Sequence, residues 1–196
     1  MNVPRRILVV QGHPDPAGGH FCHALAEAYR QGAESAGHTV TVVDVARLEF
    51  PLLRTQEDFA RGALPETLRA AQEALGRADH LVLIYPLWLG TMPALLKGFL
   101  EQLLRPGFAT SAVSGGRRWK RLLTGKSARI VITMGMPAFV YRWYFRAHSL
   151  KSLERNILGF CGIGPVRESL VGMVDAGPAR RTKWLGKLQA LGRKGR

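Results

Sequence analysis

Along this chain, short and nearly uninterrupted apolar runs alternate with longer stretches whose apolar residues recur every three or four positions. Residues 7–11 (Ile-Leu-Val-Val-Gln), 80–85 (His-Leu-Val-Leu-Ile-Tyr) and 128–134 (Ala-Arg-Ile-Val-Ile-Thr-Met) have the branched character of strands covered on both faces. Residues 39–44 (Thr-Val-Thr-Val-Val-Asp) read as a β-branched strand, and 166–174 as a fifth. Helical spacing joins Phe21, Leu25, Ala28 and Tyr29 in a helix over about 20–36, which Gly37 is suited to close. A proline opens a helix over 65–77. Leu95, Leu96, Phe99, Leu100 and Leu103 share one face of a helix over 93–104. The stretch 141–158 is partly helical, and 178–191 reads as a basic amphipathic helix.

This alternation over 196 residues predicts one α/β domain, 1–196, built on a doubly wound parallel sheet. Five strands suit the order 2-1-3-4-5, with helices on both faces. The 46% apolar content is enough for a sizeable core. In such sheets the ligand lies beyond the carboxyl ends of the strands, where the order reverses between strands 1 and 3. The loops after strands 1, 3 and 4 should therefore meet. Residues 105–126 break the rhythm. With Pro106-Gly107, Gly115-Gly116 and Arg117-Arg118-Trp119-Lys120-Arg121, they are too long for an ordinary connection and are expected to form a basic flap or excursion.

Each of the three loops has its own chemistry. After strand 1, Gly12-His13-Pro14-Asp15-Pro16-Ala17-Gly18-Gly19-His20 leads into a helix. First-turn amides there lack intrahelical acceptors, and the helix dipole adds partial positive charge. The loop reads either as a phosphate cradle or as a plain βα turn. Its glycines do not fit G-x-G-x-x-G, and Gly125-Lys126-Ser127 lacks the upstream glycine of a P-loop. After strand 3, Pro86-Leu87-Trp88-Leu89-Gly90 joins apolar bulk to a glycine that allows close backbone approach, a combination able to wall a flat ring. After strand 4, Thr133-Met134-Gly135-Met136-Pro137 is small, apolar and turn-forming. Core residues reaching loop ends would give the same letters.

Charge adds a second theme. There are 28 Lys+Arg against 14 Asp+Glu, and no acidic residue lies between Gln102 and Leu153 or after Pro178. Such a face favours anionic partners, or is simply a solubilising surface. Trp119 among its basic neighbours, and the last helix with Trp184, Leu185, Leu188 and Leu191, could give peripheral contact with an anionic membrane. No nucleic-acid-binding motif is present, and no nucleic-acid partner is expected. Cys22 and Cys161 make neither a CxxC pair nor a metal cluster, so no metal is expected. Arg5-Arg6 precede only four apolar residues, too few for a signal peptide, and no run approaches the ~20 residues of a membrane span. A cytoplasmic protein is expected.

Gly12-His13-Pro14, the block from Pro86 to Gly98, Thr133-x-Gly135 and Phe160-Cys161-Gly162-Ile163 together resemble the NAD(P)H:quinone oxidoreductases of flavodoxin-like fold. The likeness runs from about Ile7 to Val174 and is most specific after strand 3. It implies a flavin (FAD or FMN), NAD(P)H as co-substrate, a quinone-like acceptor, and a homodimer with active sites at the interface. It further implies that His13 and the backbone of Gly19, His20, Phe21 and Cys22 hold flavin phosphate. Pro86, Leu87, Trp88, Leu89 and Gly90 would line the isoalloxazine, and Thr133, Met134, Gly135 and Met136 would cover its pyrimidine end. Tyr141 and His148 fall near the spacing of the family's active-site tyrosine and histidine. Two departures stand out: the usual Ser-Phe-Asn reads His20-Phe21-Cys22, and a double glycine reads Gly135-Met136.

The function implied is two-electron, ping-pong reduction of quinones or similar acceptors by NAD(P)H. The alternative implied by relatives of this fold is a flavin-binding accessory subunit of a membrane potassium-efflux system.

Overall fold

The computed structural model describes residues 3–112 and 119–196. Its main sheet has five parallel strands, β1 (Arg6–Gln11), β2 (Thr39–Asp44), β3 (His80–Pro86), β6 (Ser127–Thr133) and β7 (Val166–Val171). They lie in the order β2-β1-β3-β6-β7, which is the expected 2-1-3-4-5 when only the main-sheet strands are counted. Register is set from both sides of β3: Ile7 stands beside His80, and His80 beside Ser127.

The continuous apolar runs are explained by two cores. Leu8, Val10, Leu83, Tyr85, Ile130 and Ile132 face one layer, with α3 (Glu66–Arg77), α4 (Ala94–Leu103) and the helical stretch from His148 onward. Ile7, Val9, Val82, Ile84, Val131 and Val171 face the other, with α1 (Phe21–Glu34) and α7 (Pro178–Arg193). Alternate residues of one strand thus enter opposite cores, which leaves no polar face.

Helices α1 and α7 touch backbone to backbone. A Cβ on Gly32 would lie 2.0 Å from the Gln189 carbonyl oxygen, and one on Gly192 would lie 2.1 Å from that of Tyr29. Leu188 is fully buried, and Trp184, Leu185 and Leu191 pack against the same core. The apolar side of the last helix is therefore turned to the protein. Of the two expected membrane contacts, α7 has its apolar side covered, while Trp119 is about half exposed.

Several expectations shift in detail. The connection between β2 and α3 contains a short helix, α2 (Gln56–Arg61), capped where Thr55 Oγ1 accepts from Asp58 N at 3.0 Å. Buried Arg105 anchors it by donating to the Gly62 carbonyl at 2.7 Å. The 105–126 excursion includes an antiparallel hairpin, β4 (Thr110–Ala112) with β5 (Trp119–Arg121); Gly115, Gly116, Arg117 and Arg118 lie outside the described residues. The last strand ends at Val171 and not at 174, because Gly172 meets a neighbouring loop and Met173 takes φ 55°. The 141–158 stretch becomes a π-helical turn (Val140–Tyr144), α5 (His148–Ser152), a second π-helical segment (Leu153–Leu158) and α6 (Gly159–Cys161). Arg146 and Ala147, both left-handed at φ 52° and 49°, reverse the chain between the first two. Among the described residues, no helix is long and apolar enough to cross a membrane.

Candidate functional site

The loops after β1, β3 and β6 meet at the carboxyl end of the sheet, as the strand order requires. Leu87 N donates to the Thr133 carbonyl at 2.8 Å, tying the β3 loop to β6. Cys22 Sγ and Thr133 Oγ1 share a hydrogen bond of 3.2 Å, tying the start of α1 to the same point. The His13 and Trp88 rings meet edge to face with centroids 5.9 Å apart.

The β1 loop is built by short polar contacts. Gly12 N donates to Ile84 O at 2.8 Å, and a Cβ on Gly12 would meet the buried Leu96 side chain at 2.7 Å, which would have to shift to admit it. His13 N donates to Gln11 Oε1 at 2.6 Å. Asp15 N donates to His13 Nδ1 at 3.2 Å, which fixes the ring proton on Nε2. His20 stacks on His13 with centroids 3.8 Å apart, and its Nε2 reaches Asp15 Oδ2 at 2.6 Å. Asp15 is held below its ordinary value chiefly by the hydrogen bond from His20. His13 is lowered, first by burial and then by the neighbouring His20 and His23.

Because the His20 ring is committed to Asp15, it gives α1 no side-chain cap, and the first turn of α1 has no acidic residue. Gly18 and Gly19 hold φ of 75° and 77°, and their outer faces are open. Among the described residues the N–H groups of Gly19 and His20 donate to nothing, and those of Phe21 and Cys22 have no acceptor within the helix. Gln11 Nε2 and both ring nitrogens of His23 are buried without a partner. Arg181 of α7 lies over the Phe21 ring at 5.2 Å and donates from Nε to Val174 O at 3.1 Å, which brings a cation beside the same turn. Unpaired amides, an open cradle and adjacent cations fit a phosphate group.

The β3 loop is a tight turn in which Trp88 and Thr91 exchange both backbone hydrogen bonds, at 2.9 and 3.0 Å. Leu89 and Gly90 at its tip are both left-handed, φ 46° and 80°. Leu89 is fully exposed, Trp88 half exposed, and the N–H groups of Leu89 and Gly90 are unpaired among the described residues. This is an apolar ledge with free donors, which suits a flat heteroaromatic ring. A cavity of about 560 Å³ lies against it, lined by Trp88, Leu89, Lys97, Ser149, Ser152 and Ile157, among others.

The β6 loop is braced from β7: Met134 N donates to Val171 O at 2.9 Å, and Met173 N to Met136 O at 3.1 Å. Thr133 is buried and Gly135 exposed. The Met134 side chain points into the core, so this residue offers the site only its backbone.

Tyr141 and His148 are placed differently from each other. Tyr141 is 1% exposed, its hydroxyl lies 2.7 Å from Ser149 Oγ, and it accepts from Leu150 N at 3.1 Å. In this position the hydroxyl holds the start of α5. His148, at that start, is exposed. Sequence reading had not singled out Gln11, Asp15, His23 or Arg181. The His20/His23 spacing on a helix start hinted at His23, but nothing local marks Arg181, which arrives from the far end of the chain.

Comparison with known proteins is consistent with this geometry. Residues 5–191 match a family described as flavodoxin-like fold. An uncharacterized NAD(P)H oxidoreductase of Haemophilus influenzae is 30% identical over 169 residues, 84% of this chain and 82% of its own. The human ribosyldihydronicotinamide dehydrogenase [quinone] is 26% identical over 189 residues, 81% of this chain and 77% of its own. The solved NAD(P)H:quinone oxidoreductase of Methanothermobacter marburgensis superposes with a TM-score of 0.79 at 27% identity, covering 97% of this chain and 96% of that one.

Proposed function

The chain belongs to the NAD(P)H:quinone oxidoreductase family of flavodoxin-like fold, and from that premise we propose that its three converging loops hold a flavin serving electron transfer from NAD(P)H to a small quinone-like acceptor. It is a flavin-dependent NAD(P)H oxidoreductase. One observation carries the site assignment: an unpaired amide cradle and an apolar ledge with free donors lie together at the point where strand order reverses.

A bound flavin, FMN or FAD, would supply the two-electron chemistry between NAD(P)H and the acceptor. The protein's part is to bind, orient and exclude water. The N–H groups of Gly19, His20, Phe21 and Cys22 would donate to the phosphate oxygens, with His13 Nε2–H and the Arg181 guanidinium beside them. Trp88 and Leu89 support the ring, and the N–H groups of Leu89 and Gly90 meet its heteroatoms. Thr133, Gly135 and Met136 close the other end. His148, exposed at the head of α5, is the group assigned to proton delivery, since an imidazole can both donate and accept a proton. Tyr141 is a positioning residue that sets the start of α5.

The functional unit in this reading is a homodimer. Trp119 and Phe160, with ring centroids 6.4 Å apart, edge an apolar groove with Leu100, Leu104 and Ile157, and a second copy would cover it together with Leu89. A peripheral membrane contact through Trp119 would compete with that second copy, and cosedimentation with anionic vesicles at low salt tests it. Steady-state kinetics of the flavin-loaded protein with NADPH and a benzoquinone test the function. Parallel double-reciprocal lines are expected. No quinone-dependent NAD(P)H oxidation after loading with either FMN or FAD would overturn it.

A further inference from the structure

A cationic cavity lies at the opposite end of the sheet from the flavin site. Its volume is about 760 Å³, within the usual range for a small-ligand site, and its walls include Arg5, His80, Ser127, Arg167, Lys194 and Arg196. His80 and Ser127 are the first residues of β3 and β6, whereas Pro86 and Thr133, which border the flavin site, are the last. At ~3.3 Å per residue the two sites stand about 20 Å apart. Among the described residues no carboxylate side chain lines the cavity.

The nearby carboxylates are committed elsewhere. Asp79 accepts from Arg6 Nη2 at 2.9 Å and from Arg6 N at 2.8 Å, and Glu168 pairs with Arg142. Among the described residues, Arg5, Arg167, Lys194 and Arg196 take part in no ion pair. Behind the wall, buried Arg129 donates to Ser169 Oγ at 2.9 Å and leaves its Nε without a partner. These cations repel one another across the hollow, and a ligand anion would lower that repulsion.

Buried polar groups at the wall point the same way. His80 is 1% exposed, its Nδ1 lies 2.8 Å from Ser127 Oγ, and its Nε2 is buried without a partner. Ser127 Oγ also accepts from Arg5 Nη1 at 3.5 Å, and in the tautomer in which its proton goes to His80 Nδ1 the ring proton lies on Nε2. That leaves Nε2–H of a neutral imidazole as an unused donor. Burial, reinforced by Arg5 and Arg129, pushes His80 down to about 3, so it stays neutral and adds no further charge. An unpaired buried donor is costly, and a ligand acceptor would relieve it.

We propose that this cavity is a second ligand site, separate from the flavin, which takes a small polyanion of the di- or triphosphate class through Arg5, Arg167, Lys194 and Arg196, with His80 Nε2–H as a neutral donor. Diphosphate charge matches several separate guanidinium and ammonium groups better than a monoanion does. Apart from the His80 imidazole the wall has no aromatic ring, so recognition rests on the phosphates.

The test uses flavin-loaded full-length protein, so the α1 cradle is already filled. Inorganic pyrophosphate is titrated calorimetrically at fixed ionic strength, with adenosine diphosphate and sulfate in parallel. Saturable pyrophosphate binding is expected, weakened about tenfold or more in Arg167→Gln and in Arg5→Gln, each of which removes one charge-assisted hydrogen bond. Arg61→Gln, an exposed cation on α2, should bind as the wild type does. Adenosine diphosphate binding no more tightly than pyrophosphate assigns recognition to free oligophosphate, and tighter binding assigns it to a nucleotide; both support the site. Absence of saturable binding, equal binding of sulfate, or binding retained by both Arg167→Gln and Arg5→Gln would overturn it. Arg167 and Arg5 are exposed, so loss of binding can be separated from misfolding by the unchanged visible spectrum of the bound flavin.

Discussion

Gly172→Ala is the perturbation that isolates the packing of the β6 loop over the site. A Cβ at 172 would lie 2.4 Å from Ala138 N and 2.8 Å from Met136 O, both backbone atoms that no rotamer change can withdraw. The loop 136–138 must therefore move by about 1 Å to restore an ordinary contact of ~3.5 Å. That movement strains the 3.1 Å bond from Met173 N to Met136 O, worth about 1 kcal/mol, on top of an overpacking cost of about 1–3 kcal/mol. A total of about 2–4 kcal/mol lowers the midpoint of a domain this size by roughly 5–15 °C. If the loop also covers the flavin, affinity should fall by about ten- to a hundredfold. Gly135→Ala is the control for stability in the same loop, because a Cβ there meets only Asp175 Oδ2 of the protein, at 3.9 Å. Thermal unfolding of apoprotein and fluorescence titration with FMN and FAD give the two readouts. A Gly172→Ala protein with wild-type midpoint and flavin affinity, or a Gly135→Ala midpoint lowered as far as that of Gly172→Ala, would refute the reasoning.

Other predictions concern single groups. His80 is neutral in the folded protein down to pH about 3 but titrates near 6.5 when unfolded, so the unfolded state binds the extra proton between these values. Stability should thus fall by about 1.4 kcal/mol per pH unit below 6.5 from this group alone, and His80→Gln should flatten that slope in phosphate-free buffer, as followed by urea unfolding. Tyr141→Phe loses the bonds to Ser149 and Leu150 and should cost about 1–2 kcal/mol of stability while flavin content is kept; unchanged stability would place the hydroxyl elsewhere. Leu89→Gly relieves a left-handed φ of 46° and should raise stability by about 1 kcal/mol in denaturant titrations, while weakening flavin binding through loss of the ledge. Cys22 and Cys161 are buried and both pushed up to about 11 by burial, so neither should react with a thiol reagent at neutral pH until the protein unfolds.

The sheet was legible in the sequence because strands buried on both faces write themselves as unbroken branched runs, and β1, β3 and β6 are of that kind. Strand order followed from the alternation with helices, and the meeting of three loops followed from the order. Less was legible where the signal is short or non-local. The three-residue strands β4 and β5 have no periodicity to read. A tyrosine after a strand looks the same whether it faces substrate or core, and Tyr141 faces core. Arg181 reaches Phe21 from 160 positions away in the chain, and the basic cavity gathers cations from both ends of the sequence around the start of β3. The His20-Phe21-Cys22 departure is explained in part by structure: the Cys22 thiol reaches Thr133, and the His20 ring serves Asp15, leaving the helix amides uncapped.

The central claim is that a flavin sits where the β1, β3 and β6 loops meet and is reduced there by NAD(P)H. The most direct measurement is the anaerobic visible spectrum of the purified protein loaded with FMN or FAD, recorded before and after one equivalent of NADPH or NADH and again after a quinone. The account predicts a bound-flavin spectrum that bleaches with the nicotinamide and returns with the quinone, and that is weakened in Trp88→Ala and Gly172→Ala. A protein that takes up neither flavin, or holds one that neither nicotinamide reduces, would contradict it.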